Sequence, residues 1–269
     1  MKIIISHDVD GLYGKDHWFR DLHYPKLWVR ETLWMLSGKI TASEWFGRCI
    51  SCFAKKRNRI PELIEYDLEH GVRSTFFFGM AQGLGMSYKP NEARSMIQYV
   101  KDHGLDVGVH GICYTDEKGI IAEKQTFEEL MGFAPNGIRM HYVRFDDQTF
   151  SKLDKAGYCF DSTEFDKQTG TCVKVPHKVG AMWEFPVCVM DSYLPYNFEQ
   201  AKQMTLDALQ KAKENDVSYF TVLLHDPHFS KEYKEYKQWY EWLISYLPSA
   251  DETSFVSFMD AVRELEERK

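Results

Sequence analysis

The sequence alternates between short apolar segments and longer amphipathic segments, and this alternation constrains the fold more than any other feature. The apolar segments predict strands at residues 2–6, 72–78, 105–109, 137–141, 158–160, 183–189 and 217–224. The segments between them have the spacing and the end signals of helices. Apolar strands separated by helices indicate a parallel sheet that is buried on both faces. We therefore predict an α/β protein with a deformed (β/α) barrel of about seven parallel strands, and an open doubly wound sheet is the alternative.

One long segment departs from this alternation. Residues 11–58 lie between the first two predicted strands, exceed a usual crossover and contain two predicted helices, at 25–36 and 42–53. We predict a helical insertion within a single domain that spans residues 1–269. Four tryptophans of this segment either form its core or line a binding surface: Trp18, Trp28, Trp34 and Trp45.

The composition excludes several classes of protein. The chain is 44% hydrophobic and 27% charged, which is typical of a globular protein with a filled core. Its net charge of -7 argues against a nucleic-acid partner, because phosphate binding needs clustered Lys and Arg. No segment reaches the roughly 20 apolar residues of a transmembrane helix, and no signal-peptide pattern is visible. We therefore predict a cytoplasmic protein, and the oligomeric state stays open.

Polar side chains follow five of the predicted strands at the point where each strand ends. These residues are Asp8, Asp10, His110, Arg139, His141, Asp161 and His225. Because the carboxyl ends of parallel strands meet on one face of such folds, we expect these side chains to lie close together. Two carboxylates held near each other need a cation, a shared proton or solvent between them. The sequence therefore predicts one site that combines acids, imidazoles and a guanidinium group.

These residues, in their order along the chain, resemble the motifs of the NodB-like polysaccharide deacetylases, the family-four carbohydrate esterases. The matching segments are SHDVDG at 6–11, RSTFF at 73–77, HGICY at 110–114, RMHY at 139–142, FDS at 160–162 and LLH at 223–225. The resemblance implies a deformed barrel that removes N-acetyl groups from sugars with a divalent metal. Two positions depart from the family pattern: Val9 separates the two aspartates, and Tyr114 stands where the family has its second metal histidine.

The departure in the second motif leads to a specific prediction of the metal ligands. His141 follows a neighbouring strand, where the family has proline, and joins Asp10 and His110 as the third ligand. An Asp-His-His set leaves positions open for water and substrate, as a catalytic divalent ion requires. We expect zinc, with cobalt, manganese or nickel as alternatives. Asp116 and His7 are further candidate ligands.

The resemblance also implies the catalytic roles. Asp8 is the general base, and Arg139 holds it ionised and oriented. His225 is the acid that protonates the leaving amine, and Asp161 orients its ring.

Contacts with the substrate are predicted at Tyr142, Tyr114 and Asp191. The predicted function is that of a metal-dependent hydrolase acting on a small-molecule or oligosaccharide substrate with an N-acetyl group, such as a surface-glycan precursor. Two alternatives stay open. One is hydrolysis of a non-sugar amide or imide bond on the same scaffold, and the other is a carbohydrate-binding homologue without activity.

Overall fold

The computed structural model describes residues 1–14, 23–249 and 253–267, so the predicted role of Trp18 lies outside the described residues. The strands are β1 Lys2–Val9, β2 Thr75–Gly79, β3 Asp106–Gly111, β4 Gly137–Met140, β5 Phe160–Asp161, β6 His177–Val179, β7 Met182–Glu184, β8 Val187–Met190, β9 Tyr219–His225 and β10 Ser254–Phe255. The helices are α1 His23–Leu36, α2 Ala42–Ile50, α3 Ile60–Glu69, α4 Pro90–Asp102, α5 Glu117–Met131, α6 Thr149–Lys155, α7 Phe198–Glu214, α8 Lys234–Tyr246 and α9 Phe258–Glu267.

The strands form one curled sheet in the order β6-β7-β5-β4-β3-β2-β1-β9-β8, and β10 pairs with β1. Neighbouring strands run parallel except β6, which is antiparallel to β7. β7 pairs with β5 while β8 pairs with β9, and only Phe185 and Pro186 separate them, so one bent strand joins the two ends of the sheet. Counted with that bent strand, seven positions surround the interior, and the predicted deformed (β/α) barrel is confirmed.

The bend corrects one predicted element. Residues 183–189 are expected to form one strand, and the structure divides them into β7 and β8. Pro186 explains the division, because proline has no N–H to donate to a neighbouring strand and therefore interrupts a ladder.

Aromatic rings fill the barrel at the end opposite the predicted site. Phe258 of α9 stacks on Phe160 of β5 with ring centroids 4.5 Å apart, and both also pack against Phe77. A Cβ at Gly137 would lie 2.1 Å from the ring of Phe160, so this strand position requires glycine. Aromatic side chains therefore fill the interior at this end, and the polar side chains lie at the carboxyl ends of the strands.

The predicted helical insertion contains α1 and α2, as expected. Their contacts include hydrogen bonds from Trp28 Nε1 to the Cys49 carbonyl (3.1 Å) and from Trp45 Nε1 to Thr32 Oγ1 (3.0 Å). Trp34 and Trp45 also pack against a cluster of barrel-side tyrosines: Tyr196, Tyr233 and Tyr236. The three described tryptophans of this segment thus contribute to its packing. Among the described residues, no helix is both long and apolar enough to cross a bilayer.

Candidate active site

Strand pairing brings the predicted site residues together at the carboxyl end of the barrel. Asp8 on β1 lies in register with His225 on β9, and His110 on β3 lies in register with Arg139 on β4. These four positions lie on two pairs of adjacent strands, with only β2 between the pairs, so distant parts of the sequence meet at one mouth.

Three ligand-type atoms converge beside β1. Asp10 Oδ1 lies 3.3 Å from His110 Nε2 and 3.3 Å from His141 Nδ1, and the two ring nitrogens are 2.9 Å apart. The histidines are nearly buried, whereas the side chain of Asp10 is 32% exposed. The structure thus brings together the three residues that the sequence predicts as metal ligands.

The hydrogen-bond partner on the far side of each ring determines which ring nitrogen carries the hydrogen and which one faces the cluster. His110 Nδ1 lies 3.1 Å from the Arg139 carbonyl oxygen, and His141 Nε2 lies 2.9 Å from the Leu84 carbonyl oxygen. A carbonyl oxygen only accepts, so each of these nitrogens carries a hydrogen. In the neutral form of both rings, which is the form that binds a metal, the facing nitrogens present lone pairs to one another and to a carboxylate, so three acceptors have no donor between them.

A divalent cation fits this arrangement. Zinc bonds of about 2.0–2.1 Å in tetrahedral geometry place ligand atoms roughly 3.3–3.4 Å apart. Both distances from Asp10 Oδ1 to the ring nitrogens have this value, and the two ring nitrogens are closer, at 2.9 Å. Within the described chain, Asp10 Oδ1 is buried and has no hydrogen-bond partner, as expected of an atom that would bind a metal. Burial opposes the charge of Asp10, yet the surrounding His141, His110 and His225 hold its pKa well below the ordinary value. Asp10, His110 and His141 are therefore suited to hold a metal ion.

The first aspartate of the first motif, Asp8, is bound to an arginine instead. Asp8 Oδ1 accepts a hydrogen bond from Arg139 Nη1 at 3.0 Å, and Asp8 Oδ2 lies 3.6 Å from His110 Nε2. Arg139 is fully buried and donates further bonds to the carbonyl oxygen and the hydroxyl of Ser162. A fixed cation thus neutralises Asp8 next to the cluster without competing for its second oxygen.

A histidine with its own carboxylate stands on the other side of the cluster. His225 Nδ1 lies 2.7 Å from Asp191 Oδ1, and its Nε2 points toward Asp10 Oδ2 at 3.9 Å. Burial disfavours a charged ring, but the carboxylates of Asp191, Asp10 and Asp8 outweigh it and raise the pKa of His225 to about 10. His228 Nδ1 shares the same carboxylate, 2.7 Å from Asp191 Oδ2.

Two predicted roles are corrected by this geometry. The prediction that Asp161 orients His225 is wrong, because Asp191 holds that ring and Asp161 instead accepts a bond from Thr163 Oγ1 at 2.6 Å. The prediction that Asp191 contacts the substrate is also wrong, because its side chain is fully buried beneath the two histidines. The reason lies in the sheet: β8, which precedes Asp191, pairs with β9, whereas β5 lies between β4 and β7.

The predicted substrate contacts differ in position. Tyr142 is 57% exposed and lines a cavity of about 90 Å³ together with Lys167, Tyr193 and the site carboxylates. Tyr114 lies outside this cavity, where the Arg144 guanidinium is 4.9 Å from its ring centroid. Lys167 and Tyr193 escape sequence reasoning because neither follows a strand directly.

The two further candidate ligands do not join the cluster. Asp116 caps helix α5 by accepting bonds from the backbone N–H groups of Lys118 and Gly119. His7 is fully buried and bonds to Asp67 through Nε2 at 2.9 Å. Neighbouring residues of a strand point to opposite faces, so His7 faces away from the mouth that Asp8 lines.

Asp161 and Glu184 form a buried carboxyl pair behind Arg139. Burial raises the pKa of Asp161 to about 6 and, together with the charge of Asp161, raises the pKa of Glu184 well above its ordinary value. The folded protein therefore keeps protons that the unfolded chain releases near pH 4. Their stabilising contribution is complete below that pH and is lost as the pH rises through about 6 and above.

We expect Glu184→Gln to reduce the dependence of stability on pH, because an amide cannot ionise. The amide oxygen can still accept the hydrogen bonds from the backbone N–H groups of Thr163 and Glu164. Above pH 4.5, where the unfolded chain ionises this carboxyl and the folded protein does not, the free energy of unfolding should lose a slope of up to about 1.4 kcal/mol per pH unit. Urea unfolding at several pH values measures it. Glu117→Gln, which removes a carboxylate beside Lys155 at the surface, is the control and should keep the slope. An unchanged slope in Glu184→Gln would contradict the raised pKa of Glu184.

Comparison with known proteins identifies the fold. No protein-family model matches the sequence, and no curated protein matches it. Among solved structures, a candidate polysaccharide deacetylase from Mycobacterium smegmatis is similar with a TM-score of 0.66 and 16% identity, over 99% of this chain and 90% of that one. A second candidate polysaccharide deacetylase, from Pseudomonas aeruginosa PAO1, is similar with a TM-score of 0.56 and 18% identity, over 78% of this chain and 73% of that one.

The same fold also carries other carbohydrate chemistry. A 4-alpha-glucanotransferase from Thermococcus litoralis is similar with a TM-score of 0.51 and 11% identity, over 97% of this chain and 40% of that one. Likeness at these identities establishes the architecture, while the reaction has to be argued from the side chains. The chain is therefore a sequence-divergent protein with the polysaccharide deacetylase fold.

Proposed function

We propose that the protein is a metal-dependent hydrolase that removes the N-acetyl group from a sugar. The observation that carries the proposal is the cluster of three acceptor atoms on Asp10, His110 and His141, between Asp8 on one side and His225 on the other. A divalent ion held there supplies Lewis acidity toward the amide carbonyl and an attacking water.

Asp8 has the position and the partners of a general base. Its Oδ1 accepts a hydrogen bond from Arg139, whereas Oδ2 lies beside the cluster of ligand atoms and can accept a proton from water. Arg139 supplies the counter-charge of the carboxylate and fixes its rotation, so the accepting oxygen has one orientation.

His225 has the position and the charge of a general acid. Its Nδ1–H donates to Asp191, and Nε2 points into the mouth where a leaving amine would be released. The raised pKa keeps a proton on Nε2 at neutral pH, and an amine leaves an amide only when it receives such a proton.

The cavity matches the size and polarity of an acetyl group. At about 90 Å³ it admits a few heavy atoms, and apolar side chains of Val143, Met190 and Leu223 form part of its lining. Tyr142 and Tyr193 stand at the same cavity, where rings of this kind can support a sugar face. In the proposal the sugar belongs to a surface-glycan precursor in the cytoplasm. The six cysteines, all in the described part, form no disulfide, which supports a reducing compartment.

The proposal is tested by metal analysis and acetate release. Protein stripped with a chelator and reloaded with zinc, cobalt, manganese or nickel should bind about one ion per chain and release acetate from N-acetylhexosamine compounds. Short sugar conjugates and polymers are compared to identify the substrate class. A loaded protein that hydrolyses cyclic imides but no acetylated sugar would favour the alternative C–N bond, and a protein without bound metal or turnover would support a binding role.

We expect Asp191→Asn to lower kcat by roughly 10²–10⁴, the range for a histidine that loses its orienting carboxylate. Without that charge the pKa of His225 falls, so the alkaline limb of the pH–rate profile should move to lower pH. Steady-state rates from pH 6 to 10 measure both effects. Asp161→Asn is the matched control, since that carboxylate does not touch His225, and its alkaline limb should stay in place.

A further inference from the structure

The insertion exposes an apolar surface of its own. Large apolar side chains recur at helical spacing on its two helices, and each is between 46% and 74% exposed: Val29, Leu33 and Leu36 on α1, and Phe46 and Ile50 on α2. We call these five residues the insertion face. Scattered exposed apolar residues are ordinary, but paired stripes of this kind indicate a docking surface.

The two stripes lie on the same side of the helix pair. The contacts Trp28–Cys49 and Thr32–Trp45 run in opposite order along α1 and α2, so the helices are antiparallel. Around each helix, in the same rotational sense and at 3.6 residues per turn, the buried side is followed by the side that contacts the other helix and then by the exposed stripe. In an antiparallel pair these two rotations reach one common outer surface.

Charge indicates what this surface binds. Residues 23–59 contain eight Lys or Arg and two Glu, a net charge of +6, although the whole chain carries -7. The two acids turn inward, since Glu31 and Glu44 both pair with the buried Arg48. The exposed charged residues of this segment are all cations: Lys26, Arg30, Lys39, Lys55 and Lys56.

We propose that the insertion face docks on the surface of a bilayer that contains anionic lipids. Apolar side chains enter the boundary between headgroups and acyl chains, and flanking Lys and Arg attract the anionic headgroups. A second copy of the chain fits less well, because it would place +6 against +6. An acidic protein would match the positive charge of the segment, but its charge would not cover the exposed apolar side chains.

The insertion that carries this face is anchored beside the mouth of the site. The insertion leaves β1 directly after Asp10, and at its other end the Arg59 backbone N–H donates to Asp226, the neighbour of His225. A groove of about 390 Å³ separates α2 from the loop after His225, and its lining includes Ile50, Lys56 and Pro227.

Vesicle flotation of the full chain tests the proposal without any measurement of activity. Vesicles of phosphatidylcholine alone are compared with vesicles of equal phosphatidylcholine and phosphatidylglycerol, at low and high salt. We expect binding only to the anionic vesicles and weaker binding at high salt, because the headgroup attraction is screened. Asp8→Asn should float like the parent, so this result is separate from that of the proposed reaction.

Matched variants locate the contact. Val29→Ser with Leu36→Ser should weaken binding by about tenfold or more, and Lys55→Glu with Lys56→Glu by at least as much. The controls make the same chemical changes elsewhere: Leu68→Ser with Val175→Ser, and Lys211→Glu with Lys213→Glu, all at exposed positions. All four replace exposed residues, and unchanged thermal melting verifies that they fold.

Each remaining outcome overturns the proposal. The proposal is wrong if the protein does not float with anionic vesicles. It is also wrong if the test and control variants bind equally. Dimerisation that only Val29→Ser with Leu36→Ser abolishes would assign the face to a second copy. Binding to polyglutamate but not to vesicles would assign it to an acidic protein.

Discussion

His141→Ala is expected to lose the bound metal and to lower kcat/KM by roughly 10³ or more, since it leaves a divalent ion with only two protein ligands. The prediction rests on His141 Nδ1, which lies 3.3 Å from Asp10 Oδ1 and 2.9 Å from His110 Nε2. Metal content by mass spectrometry after dialysis, together with acetate release, measures the two effects.

The matched control is Tyr114→Phe. Tyr114 takes the sequence place of the family's second metal histidine but lies outside the cavity, under Arg144. We expect this variant to keep its metal and most of its activity. If His141→Ala retained metal as tightly as the parent while Tyr114→Phe lost it, the ligand assignment would be reversed. Circular dichroism verifies that the alanine variant, which empties a buried position, is folded.

Asp8→Asn is expected to keep the metal and to lower kcat by about 10²–10⁴, the usual contribution of a general base. The amide has the shape of the carboxylate, and its oxygen still accepts the bond from Arg139 Nη1. It cannot take a proton from water, so turnover is lost while the cluster of Asp10, His110 and His141 is untouched. Metal stoichiometry and single-turnover rates distinguish these effects.

Asp10→Asn is the comparison for that experiment. This substitution weakens a ligand atom in the cluster, so metal content should fall together with activity. Loss of metal from Asp8→Asn but not from Asp10→Asn would show that the two aspartates have exchanged roles. Thermal melting is followed in both variants, because Asp8→Asn leaves the buried guanidinium of Arg139 without its counter-charge.

The apolar strands made the barrel predictable from the sequence. Once residues 2–6 and 217–224 are recognised as buried parallel strands, their carboxyl ends must approach, and Asp8 does lie in register with His225. The same rule brought Asp10, His110 and His141 together although they are far apart in the chain. The position of His141 at a strand end was enough to place it in the cluster.

The choice between two carboxylates was not predictable in this way. Asp161 and Asp191 both follow strands, and only the order of strands in the sheet decides which one reaches His225. That order depends on the bend at Pro186, a feature of packing between distant segments. The Leu84 carbonyl that fixes His141 had no signal at all, since any residue supplies a backbone oxygen.

The carbonyl oxygens that hold His110 and His141 have a consequence for how such a centre changes over evolutionary time. Both belong to the main chain, at Arg139 and Leu84, so side-chain replacement at Leu84 leaves the orienting oxygen in place. A centre oriented by side-chain carboxylates loses that support through a single codon change. Here the alignment of the rings follows the path of the backbone, so it does not depend on the identity of the side chain at Leu84.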